Sequence, residues 1–217
     1  MDSTRIIHSP RKLLARRLRR YVATGGGSQA ARRCDLDVST IKDAYWDKVS
    51  ACMKTYDLGP DLGSGGVKHD SYLSVCMGLS AYELLREAGF TEEEAFAAYD
   101  YMTAPMRKIA RTLYRFVEYL PGSFGILRRG IISDLTGARR LCWSTKLVRN
   151  DDEVLEYQIT RCLYHEVCEA HGHPEFTRAF CRNDEFTYGS FGRRIKFERL
   201  SSFGAGDGCC HDRFTVM

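Results

Sequence analysis

The sequence predicts an α+β protein, with an N-terminal helical layer packed on a C-terminal antiparallel sheet of about four strands and two short inserted helices. Apolar residues before residue 137 recur every three or four positions, as on one face of a helix. After residue 140 they alternate with polar residues, as in a strand with one wet face. A chain of 217 residues also suits one core domain that folds without a disulfide or metal.

The N-terminal part predicts six helical segments, the first five of which are followed by glycine or proline. Thr91 and Glu94 form a capping-box pattern that marks one helix start. Pro105 is expected to end or kink that helix, because proline lacks the N–H of an interior helical hydrogen bond. The segments span residues 10–22, 38–56, 69–88, 91–103, 105–120 and 124–137.

The C-terminal part predicts two pairs of strands separated by two short helices. The first pair is a hairpin across the turn at Asn150, and a glycine-rich turn joins the second pair. The expected strands are 142–148, 155–160, 194–200 and 210–216, and the helices are 164–171 and 174–181.

The positive charge is concentrated at the N-terminus. Residues 1–33 hold nine Lys or Arg and one acidic residue, so they carry +8, whereas the remainder carries −4. We therefore expect a basic arm and linker at 1–36 and a single α+β domain at 37–217. The arm either docks on the acidic body or on a second subunit of a homodimer, or serves as a targeting, membrane-surface or nucleic-acid segment. Nucleic acid is disfavoured, because Tyr21 is the one aromatic residue among the basic ones.

The chain has nine cysteines, five of them between residues 162 and 210. Residues 1–22 lack the uninterrupted apolar core of a secretory signal, and no apolar run approaches the about 18 residues of a membrane span. We therefore expect a cytoplasmic protein whose cysteines stay reduced.

Three of these cysteines are expected near one carboxylate. Cys162 ends a predicted strand, and Cys210 begins the last one. Cys181 ends a predicted short helix, and Asp184 follows three residues later. In the last strand Asp212 lies two residues after Cys210, and a carboxylate beside a thiol on a buried face is costly unless it is paired or has a function.

The alternation of the last strand assigns its side chains to two faces. Cys210 and Asp212 share the buried face, whereas His211 and Arg213 point to the other. On the helix after Cys162, His165 lies one turn from Cys168.

Three interpretations of this cluster are open. In the first, a histidine lowers the pKa of a reactive thiol and a carboxylate orients the base. In the second, zinc or another divalent metal is held by ligands from Cys162, His165, Cys181 and Cys210, and no other cofactor is predicted. In the third, the cysteines are buried packing residues.

The C-terminal motifs resemble those of the L-2-amino-thiazoline-4-carboxylic acid hydrolase family. They are Cys162, FCRND at 180–184, IKFER at 195–199 and CHDRF at 210–214. The resemblance covers roughly residues 150–216, and the helices around Gly89 are similar more loosely. It implies a hydrolase-like domain acting on a C–N or C–S bond of a cyclic amidine or thiazoline carboxylate. Ring opening leads towards a carbamoyl-cysteine product, in small-molecule metabolism or a specialised biosynthetic pathway.

The resemblance also implies roles for individual residues. A thiol attacks the C=N carbon or positions water, and a carboxylate acts as base or holds the amidinium, while a histidine moves the proton. A basic residue would take the substrate carboxylate in a fork. The candidate catalytic residues are Cys162, His165, Cys181, Asp184, Cys210 and His211, and the substrate-binding candidates are His69, Arg182, Arg199, Asp212 and Arg213.

Two rival functions use other features of the chain. A non-catalytic metal- or ligand-binding protein would use the same Cys/His cluster, and metal analysis of the purified protein separates it from the enzyme. A nucleic-acid binder would use the arm, and salt-sensitive binding would then be lost on deletion of residues 1–33.

Overall fold

The computed structural model describes residues 4–24, 41–55 and 66–217. These residues confirm the predicted α+β class, with helices first and then a four-stranded antiparallel sheet. The chain divides into two compact units, Met1–Asp57 with Leu73–Pro105 and Leu58–Tyr72 with Met106–Met217. The predicted glycine-rich linker lies outside the described residues. Among the described helices, none is long and apolar enough to cross a membrane.

The helices of the N-terminal part follow the predicted periodicity. Leu18, Tyr45, Leu79 and Tyr82 are almost wholly buried, as their positions in the apolar stripes predict. The predicted capping box is present, because the Thr91 N–H donates to the Glu94 carboxylate at 2.8 Å. The helices are α1 (Thr4–Ala23), α2 (Ile41–Thr55), α3 (Val67–Glu87) and α4 (Glu92–Val117).

The prediction that Pro105 ends its helix is wrong. The helix α4 continues through it, although proline leaves the carbonyl of Tyr101 without its usual donor. The Arg17 Nε of α1 donates to that carbonyl at 2.9 Å, and the guanidinium lies over the Tyr101 ring. A side chain from a neighbouring helix therefore replaces the missing hydrogen bond. Beyond Pro105, Ile109 and Leu113 are each 62% exposed, so the apolar stripe there does not mark a core.

The second unit contains the whole sheet. Its strands are ordered β1-β2-β4-β3, and each adjacent pair is antiparallel. Between the second and third strands the chain forms the two inserted helices. The elements are α5 (Ser123–Thr136), β1 (Trp143–Asn150), β2 (Val154–Cys162), α6 (Leu163–Ala170), α7 (Thr177–Tyr188), β3 (Ile195–Ser201) and β4 (Cys210–Val216).

The second inserted helix differs from its prediction. It was expected to end at Cys181, but α7 runs on to Tyr188 because no glycine or proline interrupts it before Gly189. Pro174 instead begins a separate 3₁₀ turn ahead of α7. Cys181 and Asp184 therefore lie in one helix, on the same side and about one turn apart.

The two faces of the sheet have different chemistry. On one face, α5 packs its apolar residues against Leu155, Tyr157 and Phe214, and this cluster forms the core of the unit. On the other face we expected a water-exposed surface, and this prediction is wrong at Glu156, which is 7% exposed. Its carboxylate accepts hydrogen bonds from His211 and Arg213, which explains how it tolerates burial.

A buried carboxylate fixes the start of β3. Glu118 accepts hydrogen bonds from four successive backbone N–H groups, at Gly192, Arg193, Arg194 and Ile195, at 3.2–3.3 Å. Burial raises the pKa of this carboxyl, but the four N–H groups outweigh burial and hold the pKa below its usual range. The charged form of Glu118 therefore anchors the strand that carries Arg199.

Candidate active site

A cavity of about 260 Å³ opens within the second unit, lined by residues of the sheet, α5, α6 and α7. This volume suits a small molecule rather than a polymer. Six of the predicted site residues line it together: Cys162, Cys181, Asp184, Arg199, Cys210 and Asp212.

Local structure explains why these side chains converge. Cys162 is the last residue of β2 and stands directly before the first turn of α6. Cys210 and Asp212 alternate along β4 and point to the same face, as predicted. Arg199 lies opposite Asp212 in the register of β3 and β4.

Cys181 and Cys210 form a hydrogen-bonded pair of thiols. The Cys210 thiol donates to the Cys181 sulfur, which lowers the pKa of Cys181 below its usual range. Burial opposes this shift, whereas the positive charge of Arg199 and the Gly204 N–H add to it. The same hydrogen bond, together with burial, raises the pKa of Cys210. Of the two, Cys181 is therefore the thiol whose deprotonation is favoured, and Cys210 is the proton-bearing partner.

Gly204, which lies in the 3₁₀ turn Phe203–Ala205, approaches α7 closely. A Cβ at this position would lie 2.7 Å from the Arg178 Cα and 3.0 Å from the Cys181 sulfur. Only glycine therefore lets the turn bring its N–H to the sulfur. No sequence signal indicated this role, because a single glycine in a glycine-rich turn does not show which residues it will contact.

Cys162 is a weaker candidate for the nucleophile. The N–H groups of Tyr164 and His165 point at its sulfur and favour the thiolate, but burial dominates and raises the pKa to about 11. At neutral pH this residue is a thiol that lines the cavity.

Arg199 links the two aspartates of the cavity. Its Nε donates to Asp212 Oδ1 at 2.8 Å, and its Nη2 donates to Asp212 Oδ2 and to Asp184 Oδ2, both at 3.1 Å. Its Nη1 also donates to the Cys181 carbonyl at 3.1 Å. The fork of this arginine is thus occupied by Asp212.

Asp184 differs from Asp212 in its environment. Its side chain is 52% exposed to water at the cavity, whereas that of Asp212 is 4% exposed. The protein atoms crowded around the Asp184 carboxyl still remove much of its hydration, and this raises its pKa to about 6 despite the opposing charge of Arg199. Asp184 is therefore a water-accessible carboxyl that changes protonation near neutral pH.

His165 does not line the cavity in this structure. Its Nδ1 lies 3.1 Å from the Thr177 hydroxyl, and its ring stacks on Phe203 with centroids 4.7 Å apart. Thr177 itself lines the cavity, so His165 lies behind the lining.

Four other predicted residues are also outside the cavity lining. His211 and Arg213 are on the opposite face of the sheet and bind Glu156, as their alternation predicts. Arg182 is an exposed residue of α7, and the His69 Nδ1 of α3 lies 3.6 Å from Asp70.

The described part of the chain contains no cluster of metal ligands of the kind that the zinc interpretation requires. Within residues 4–24, 41–55 and 66–217, no three His, Cys, Asp or Glu side chains are arranged to hold a metal ion. None of the eight cysteines in this part of the chain forms a disulfide.

The cavity also contains residues that the sequence analysis did not select. Asp134 of α5 faces it, and aromatic side chains form much of its wall. Tyr157 had a detectable signal, since it alternates onto the buried face of β2. The others come from β1, α6 and α7 and share no periodic pattern, although Phe180 belongs to the FCRND motif. The aromatic residues are Trp143, Tyr157, Tyr164, Phe180 and Tyr188.

The fold and the cavity define an α+β protein with thiols and carboxylates around a space for a small molecule. The family model of L-2-amino-thiazoline-4-carboxylic acid hydrolase matches residues 74–214, more than half of the chain. The chain belongs to this family, whose name indicates a hydrolase, so the predicted resemblance is confirmed. Comparison with curated proteins and with solved structures finds no match.

Proposed function

We propose that this protein is a thiol-dependent hydrolase of a small cyclic amidine or 2-aminothiazoline, with Cys181 as nucleophile and Asp184 as base. The observation that carries the proposal is the Cys181 thiol, whose pKa is lowered by the Cys210 thiol and the Gly204 N–H and which lies one helical turn from a water-accessible carboxyl. A lowered thiol pKa in a cleft is typical of a nucleophilic cysteine.

The first step is addition of the Cys181 sulfur to the C=N carbon of the protonated ring. The electron pair of the C=N bond moves to nitrogen, which gives a neutral tetrahedral adduct. Nitrogen then expels the ring sulfur as a thiolate, and an isothiouronium remains bound to Cys181. The thiol of Cys210 lies next to these atoms and is suited to protonate the leaving sulfur.

The second step is hydrolysis of this covalent intermediate. Asp184 accepts a proton from water while the water oxygen adds to the isothiouronium carbon. Collapse breaks the bond to Cys181, restores its thiolate and leaves a carbamoyl group on the opened chain, while the oxygen gives up its second proton. One of the two protons from water returns to Cys210, and the other leaves for solvent. The net change is addition of one water, and the proton of the original amidinium is released.

Trapping the intermediate tests the proposal. We expect intact-protein mass spectrometry during turnover of 2-aminothiazoline, or of its 4-carboxylate, to find an adduct of the full substrate mass. Peptide mapping should place it on Cys181. The matched control is Cys209→Ala, which removes a thiol beside Cys210 that does not line the cavity. Turnover by wild-type protein with the adduct on another cysteine would refute the role of Cys181.

The pH dependence of turnover reports on Asp184. Its pKa of about 6 means that the carboxylate needed as a base is protonated at lower pH. We therefore expect kcat to fall as the pH drops through about 6 and to plateau above it. Asp184→Asn should lower kcat by about 10²–10⁴-fold and remove that limb. An unchanged acid limb in this variant would show that another group titrates.

A further inference from the structure

The charges of the cavity lining are mostly negative. Among the described residues that line it, three carboxylates, on Asp134, Asp184 and Asp212, face one guanidinium, on Arg199. The net charge is −2 when all three are ionised, and it becomes more negative when Cys181 is deprotonated. Such a lining attracts a cation and repels an anion.

The guanidinium has no fork left for a substrate carboxylate. Four of the five N–H groups of an arginine are used by Arg199, for Asp212, Asp184 and the Cys181 carbonyl. Asp212 is 3% exposed and holds the fork from the buried side. A substrate carboxylate would have to displace one of these partners and leave a carboxylate of the protein unpaired.

The aromatic wall is also suited to a cation. Five aromatic side chains line the cavity, and the faces of such rings attract a desolvated cation, most strongly when it is planar and delocalised. The charges of Asp184 and, less strongly, Asp134 contribute to raising the pKa of Tyr188, after the larger effect of burial.

From these contacts we propose that the substrate is a planar amidinium-type cation without a carboxylate of its own. This inference rests on the proposed function and refines its substrate class away from the carboxylated ring of the family name. Asp184 and Asp134 accept hydrogen bonds from the amidinium N–H groups, while the aromatic rings pack on its faces. Asp134 is thus a specificity-determining residue that takes no part in proton transfer.

Calorimetry on the full chain tests the proposal with three ring compounds at pH 7. The probes are 2-amino-2-thiazoline, a cation, its 4-carboxylate, a zwitterion, and thiazolidin-2-one, which is neutral. The Cys181→Ala variant is used so that binding is measured without turnover. We expect the cation to bind about tenfold or more tightly than either other ring.

Variants of Asp134 give the matched comparison. Asp134→Asn should weaken binding of the cation about threefold or more and leave binding of the neutral ring unchanged. Asp134→Glu should restore binding of the cation. Equal or tighter binding of the zwitterion, or no binding of the cation, overturns the inference.

Turnover separates this inference from the proposed function. Hydrolysis of the zwitterion through a Cys181 adduct, together with its tighter binding, would overturn the inference and keep the function. Preferential binding of the cation to wild-type protein with neither adduct nor hydrolysis would overturn the function and keep the inference.

Discussion

Cys181→Ala is expected to lower kcat/KM by on the order of 10³-fold or more, because it removes the atom that forms the covalent bond. Cys181→Ser should be nearly as inactive, because a serine hydroxyl is far less acidic than a thiol and stays protonated at this position. The measurement is steady-state hydrolysis of 2-aminothiazoline, with free thiol released as the signal.

Two other cysteine variants sharpen this result. Cys210→Ala removes the hydrogen bond to the Cys181 sulfur, so the pKa of Cys181 should rise, and maximal activity should move to higher pH. Cys209→Ala should retain wild-type activity, as its side chain lies outside the cavity lining. Full turnover by folded Cys181→Ala would mean that water is activated without a covalent step.

Arg199→Met is expected to lower the free energy of unfolding by about 3–5 kcal/mol. The substitution leaves the Asp212 carboxylate, 3% exposed, without the guanidinium that holds both of its oxygens. A buried charge without its partner has lost its hydration, and few interactions within the protein compensate for that loss. Urea unfolding followed by circular dichroism measures the change.

The matched control for Arg199 lies on the same strand. Lys196 pairs with Glu198 at 2.7 Å in an exposed position, and Lys196→Met should cost less than about 1 kcal/mol. The double variant Arg199→Met/Asp212→Leu should be more stable than Arg199→Met alone, because no buried charge remains. A loss below 1 kcal/mol in Arg199→Met would show that Asp212 finds another partner or takes up a proton.

Much of the fold was predictable because the relevant signals are local. Alternation in β4 assigned Cys210 and Asp212 to the buried face and His211 to the other, and the structure agrees. The prediction of a helix boundary at Pro105 failed, because α4 continues and Arg17 from another helix donates to the carbonyl that proline leaves without a donor. It also failed at Cys181, where α7 continues for two further turns to Tyr188.

Part of the site was predictable for a different reason. Cys162, Cys181, Asp184 and Cys210 were selected from motifs that resemble a family, and all four line one cavity. Among the candidate arginines, alternation placed Arg213 on the face opposite Cys210, but no local signal separated Arg182 from Arg199. Only the pairing of β3 with β4 shows that Arg199 reaches the cavity, whereas Arg213 binds Glu156 on the other face.

The sequence by itself determined the α+β class, the order of most elements and the family, because periodicity and motif order are properties of neighbouring residues. Tertiary structure alone decided which of the two thiols has the lowered pKa and which charges surround it. The hydrogen bond from Cys210 and the N–H of Gly204 reach Cys181 from residues more than twenty positions away. A pKa depends on distances in space, and only the packing of α7 against the 3₁₀ turn and β4 sets those distances.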